Sequence, residues 1–204
     1  MRYYIIAGEA SGDLHGSNLI KELHKQDAKA EVRCWGGDKM EAAGATLVKH
    51  YRDLAFMGFV EVVKHLGTIL KNIKLCKQDI LNYQPDVLVL IDYPGFNMRI
   101  AEWARKQGFK IVWYISPQVW AWKAGRVEKL RRDVDEMLVI LPFEVDFYKQ
   151  RNFEVMYVGH PLIEVIEQET RAVPVESLSQ KPIIALLPGS RKQEIREKLP
   201  EMLK

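Results

Sequence analysis

Along this chain, short apolar runs rich in Val, Ile and Tyr alternate with stretches whose apolar positions recur every three to four residues. The runs predict strands at 3–8 (YYIIAG), 30–36 (AEVRCWG), 86–92 (DVLVLID), 110–116 (KIVWYIS), 136–142 (EMLVILP) and 153–159 (FEVMYVG). Helical patterns fall at 13–26, 38–44, 59–82, 97–107, 143–151 and 161–168, and a basic segment occupies 123–132. Strands this apolar, separated by helices, are buried on both faces, which requires a parallel sheet with right-handed crossovers. The expected class is α/β, a parallel sheet with helices on both faces.

Periodicity lapses at 169–181, ETRAVPVESLSQK, where Pro, Ser and charged residues mark a linker. A new apolar run, PIIALLPGS (182–190), predicts another strand, and RKQEIREKLPEMLK (191–204) another helix. The expected organisation is a domain over 1–168, a linker over 169–181, and the opening βα of a second, truncated domain over 182–204. One strand and one helix cannot bury a core of their own.

Composition narrows the classes. A net charge of +3 is too balanced to argue for a nucleic-acid partner. Cys34 and Cys76 fall in unrelated segments with no CxxC, so they read as free thiols of a reducing compartment. The start lacks the pattern of a secretory leader, and no run reaches the ~18 uncharged residues of a spanning helix. A cytoplasmic location is the default expectation.

Ligands of an open parallel sheet bind beyond the carboxyl ends of its strands, so residues just past a strand are the candidates. In AGEASGDLHG (7–16) the glycine spacing does not fit G-x-G-x-x-G, which disfavours a nicotinamide or flavin cofactor. Ser11 or Asp13 can cap the following helix, whereas Glu9 is an extra carboxylate beside a helix start. In VLVLIDYPGFNM (87–98), Asp92 is either a helix cap, as Asn97 could be, or a general base ionised at neutral pH. In YISPQVWAWKAGRVEKLRR (114–132), two tryptophans offer rigid walls and the cations suit a phosphate, or else the former pack core and the latter are solvated. DVDE (133–136) precedes a strand and is discounted as a metal site. In LLPGSRKQE (186–194), Ser190 can simply cap the helix, but with Arg191 and a helix start it suits a phosphate cradle, though not a Walker loop.

The apolar positions of 56–76 spread wider than the ~100° stripe that docking on one core requires. Phe56, Met57, Phe59, Val62, Leu66 and Ile69 are the candidates to face a membrane or an acyl chain, with Lys64, Lys71 and Lys74 on the polar side. A buried central helix is the alternative.

Taken in order, AGEASGD, MGFVEV, IDYPGFN, YISPQVWAW, LPFE (141–144), VGHP (158–161) and LLPGSR strongly resemble the lipid-A-disaccharide synthase family over essentially the whole chain. The resemblance implies the GT-B architecture of two Rossmann-like domains, of which this chain would hold the first and the opening of the second. It implies transfer of 2,3-diacylglucosamine from UDP-2,3-diacylglucosamine to 2,3-diacylglucosamine 1-phosphate (lipid X), with inversion and release of UDP, and no metal or other cofactor. It implies that Asp92 is the base, that Glu9, Ser11 and Asp13 line the acceptor side with Asn97 and Gln118 as neighbours, and that Ser190 and Arg191 meet the donor diphosphate. It implies a peripheral position on the inner membrane of a Gram-negative bacterium; a homodimer stays open. Gly95 departs from the family, where that position is often acidic. Because the family's second domain continues further, the 204-residue chain alone is expected to lack transferase activity. The alternatives are another GT-B UDP-sugar enzyme, such as a peptidoglycan transferase or an epimerase, or a non-catalytic lipid- or nucleotide-binding module.

Overall fold

The computed structural model describes residues 1–54, 66–172, 181–189 and 192–204. The chain divides into two compact units, Met1–Pro161 and Leu162–Lys204. The first is built on seven parallel strands, β1 (Arg2–Ala7), β2 (Glu31–Gly36), β3 (Thr46–His50), β4 (Val87–Ile91), β5 (Ile111–Tyr114), β6 (Glu136–Val139) and β7 (Met156–Tyr157). They stand in the order β3-β2-β1-β4-β5-β6-β7. The order grows outward in both directions from β1 and β4, which places a topological switch point between them.

Alternation along each strand gives the sheet two apolar faces. Tyr4, Ile6, Leu88, Leu90 and Trp113 point to one. There they meet α3 (Leu66–Tyr83), α4 (Pro94–Lys106), α6 (Val127–Asp133) and α7 (Pro142–Lys149) through Ile80, Ile100, Leu130 and Tyr148. Ile5, Ala7, Cys34, Val89 and Ile91 point to the other, against Ile20 of α1 (Ala10–Gln26) and Met40 of α2 (Asp38–Ala42). Both cysteines are buried free thiols, and burial pushes the Cys34 thiol up to about 12. A carboxylate ties α3 to the sheet: Asp79 accepts from Tyr4 OH at 2.6 Å and from Arg33 Nε and Nη2 at 2.8 and 2.7 Å.

Several expected boundaries move, each for a local reason. β4 and β5 stop short because Asp92 (φ 41°) and Ile115 (φ 65°) turn into the left-handed region. The helix expected from 97 begins at Pro94, whose missing N–H costs nothing at the first helical position. The strand expected over 153–159 shrinks to Met156–Tyr157, with Phe153 turned into the core. The basic segment becomes a 3₁₀ turn, Ala124–Arg126, leading into α6, after the short α5 (Val119–Trp122).

In the second unit, α8 (Leu162–Ala172) runs past residue 168, and α9 covers Lys192–Met202. The strand expected at 182–190 is not found among the described residues: 182–189 joins no ladder, and Ile184 is 87% and Leu187 84% exposed. A strand is defined by its neighbour, and the described residues of this unit supply none.

Candidate active site

Ala7 and Ile91 are register partners on β1 and β4, so Gly8-Glu9 and Asp92-Tyr93 leave the sheet side by side at the switch point. Glu9 is the N-cap residue of α1 and Asp92 follows the last residue of β4; both side chains are exposed. Burial of its inner side, then the charge of Glu9, push the Asp92 carboxyl up to about 6, opposed by a hydrogen bond from the Tyr93 amide. Solvent on its open side works against that shift, so its upward direction is what matters for chemistry. The helix-cap alternative fails geometrically, because α4 starts from Tyr93 and no side chain caps it.

The turn that carries Asp92 is strained. Asp92 (φ 41°) and Tyr93 (φ 49°, ψ 53°) are successive non-glycine residues in left-handed conformation, each costing roughly 1–3 kcal/mol. Asn97, fully buried, holds the turn from beneath: its Nδ2 donates to the Asp92 carbonyl at 2.8 Å and to the Ile91 carbonyl at 3.3 Å. Asn97 thus braces the Asp92 turn from within, rather than standing at the surface as the substrate neighbour that was expected. Another left-handed residue, Ile115, lies one strand over, just past β5. The loop after it is pinned by Ser116 Oγ and Tyr148 OH, 2.5 Å apart, and by an edge-on contact of Trp120 with Phe143. Glu144, 1% exposed, accepts from the Leu141 and Ile140 amides at 3.0 and 3.3 Å. These contacts leave Gln118 and Trp122 exposed at the crest.

The other expected site residues separate. Ser11 is exposed in the first turn of α1, beside Glu9. Asp13, 3% exposed, is a correction: its carboxylate accepts from the Gly37, Met40 and Lys39 amides at 2.8, 3.0 and 3.2 Å. It caps α2, not its own helix, and belongs to the frame. Ile69 also differs from expectation, because it packs against the core; among the described residues of α3, Leu70 and Leu75 are the exposed large apolar side chains. Phe56, Met57, Phe59 and Val62, the side chain of Leu66, and Ser190 and Arg191 lie outside the described residues. The acids of DVDE are engaged elsewhere: Asp133 with Arg132, Asp135 with Arg105 and the Ile111 amide, and Glu136 with Lys110.

Sequence reasoning missed Tyr93, Ile115, Ser116 and Tyr148, whose roles are contacts across the fold. It also missed His15, 8% exposed, whose Nδ1 lacks a partner among the described residues; burial and then His160 lower its pKa.

A parallel sheet in this order, with helices on both faces, is Rossmann-like, and the solved chains that superpose on it are of the GT-B fold, about half of which it spans. The UDP-GlcNAc 2-epimerase of Neisseria meningitidis, solved with UDP-GlcNAc bound, superposes with a TM-score of 0.62 at 10% identity, over 84% of this chain and 49% of that one. The glycotransferase of kitacinnamycin superposes at 0.54 and 12% identity, over 93% and 56%. The particular branch comes from sequence: the lipid-A-disaccharide synthetase family model matches residues 3–204, and the chain belongs to that family. It is 45% identical over 206 residues to the lipid-A-disaccharide synthase of Geobacter metallireducens and 43% identical over 206 to that of Trichlorobacter lovleyi. Each alignment covers 99% of this chain and 54% of the relative, so the chain spans about half the length of the curated relatives it matches.

Proposed function

We propose that this chain is the acceptor-side part of an inverting glycosyltransferase that makes the lipid A disaccharide, with Asp92 as its general base. The acceptor is 2,3-diacylglucosamine 1-phosphate and the donor UDP-2,3-diacylglucosamine. Asp92 takes the proton of the acceptor's 6-hydroxyl as that oxygen attacks the anomeric carbon; the bond to UDP breaks with its electrons on the diphosphate, and the configuration inverts. A carboxylate whose pKa is pushed up to about 6 is still mostly ionised at neutral pH and is a stronger base than an ordinary aspartate. The observation that carries this reading is the place of Asp92: exposed, on a strained turn, at the switch point where an α/β sheet binds ligands.

Glu9 and Ser11 then face the acceptor, with Gln118 and Trp122 on the neighbouring loop. The second unit is the start of the donor domain, where Ser190 and Arg191 meet the diphosphate as charge develops on it. The protein works at the inner-membrane surface, a reading supported by exposed Leu70 and Leu75 beside Lys71 and Lys74. Among the described residues no helix is long and apolar enough to cross a membrane.

The test is Asp92→Asn in the full-length protein, assayed with both lipid substrates. A loss of kcat of about 10²–10⁴-fold with the fold intact is expected; unimpaired turnover would end the reading. Sedimentation with anionic vesicles tests the membrane surface, and no binding would remove it.

A further inference from the structure

Gly8 has no room for a side chain. A Cβ there would sit 2.3, 2.4 and 2.5 Å from Cγ, Cδ1 and Cδ2 of Tyr93, so the phenol ring lies directly on the Gly8 backbone. The same ring stacks on Phe96, with centroids 5.6 Å apart and planes inclined by 28°, and Phe96 continues to Trp35 at 5.5 Å. At its tip the Tyr93 hydroxyl makes a long bond, 3.5 Å, to the Leu54 carbonyl. Tyr93 therefore reaches from the strained β4–α4 turn to the β1–α1 loop that carries Glu9, and it is anchored in the core from behind.

Asn97 fixes the carbonyls of that turn from below, but a carbonyl brace does not determine how the turn sits relative to the neighbouring loop. The Tyr93 ring lies on both segments. We infer that Tyr93 is a positioning residue for Asp92: its ring, seated on Gly8, joins the two loops at the switch point into one rigid unit and so fixes the direction of the Asp92 carboxylate and its distance from Glu9. This rests on the reading of Asp92 as the base. Loss of such aim is the kind of misplacement, about 1 Å, that costs roughly 10²-fold in rate.

A double-mutant cycle in the full-length protein tests it, with kcat, KM and the pH profile of kcat/KM as readouts. Tyr93→Ala should lower kcat by roughly 10²-fold with little change in KM. It should also move the acid limb to lower pH, because the ring no longer shields Asp92 from water. Gly8→Ala should be comparably damaging beside Tyr93, and should cost nothing further once residue 93 is alanine, because the added methyl then has no ring to strike. Tyr93→Phe, which keeps the ring and loses only the long hydroxyl bond, should recover most of the activity. If Tyr93→Ala does not fold, Tyr93→Leu, which keeps apolar bulk without a flat face, takes its place in the cycle. Additive losses at the two positions, or a Tyr93→Ala or Tyr93→Leu variant with wild-type kcat and acid limb, would overturn the inference. Asp92→Asn is assayed alongside: if that variant turns over normally, the base reading has failed; if it is inactive, the cycle alone decides on Tyr93.

Discussion

Replacing Asp92 by Asn should make the protein more stable while removing the proposed base. The carboxyl rises from 3.8 to about 6 on folding, so the folded chain holds this proton more tightly than the unfolded chain. The stabilisation that protonation gives is complete below pH 3.8 and lost as pH rises through about 6; above that, the fold carries an ionised group it disfavours. At 1.36 kcal/mol per pKa unit the ceiling is about 3 kcal/mol. Because the side chain is exposed, solvent screening reduces that to about 1 kcal/mol. Asparagine avoids this cost. Thermal unfolding of the 204-residue chain should therefore give Asp92→Asn a Tm higher by roughly 2–4 °C at pH 8, with the advantage fading towards pH 4. A variant that melts lower than wild type at pH 8 would refute the reasoning, because that is the behaviour of a carboxylate whose charge the fold needs.

Glu9→Gln removes the negative neighbour that helps raise Asp92, so the acid limb of kcat/KM in the full-length protein should move to lower pH; a limb that stays in place would uncouple the pair. Asp13→Ala leaves the Gly37, Lys39 and Met40 amides without their acceptor, and should cost about 2–3 kcal/mol, read as a fall in Tm of roughly 4–12 °C. Asp79→Ala strands the buried Tyr4 hydroxyl and the Arg33 fork, with a loss of about 2–3 kcal/mol in urea unfolding. Burial raises the Asp79 pKa, but the bonds from Arg33 and Tyr4 outweigh it and leave it below the usual range. The contribution of Asp79 is thus present above that range and lost as pH falls through the folded value, so wild type and variant should converge in acid.

What the residues decided unaided was local. Runs such as VLVLI and YYIIA specify buried strands because alternate side chains must both find apolar cover, and apolar positions recurring every three to four residues over 59–82 predict a helix. The motif strings carried the family, and the aspartate at the end of β4 was visible as a candidate because its place after a strand is a property of one short segment. What the tertiary structure decided was which segments meet. Strand order alone brings Glu9 beside Asp92. Packing alone turns Asp13 from a site residue into the cap of a different helix, puts Asn97 underneath the turn rather than at its surface, and lays the Tyr93 ring on Gly8. The apolar run at 182–189 marks the same division: its residues favour a strand, but a strand needs a ladder from elsewhere in the chain, and the described part of its own unit offers none. Side-chain pattern acts over a few residues, whereas pKa, strain and aim arise from groups far apart in sequence whose proximity only the folded sheet creates.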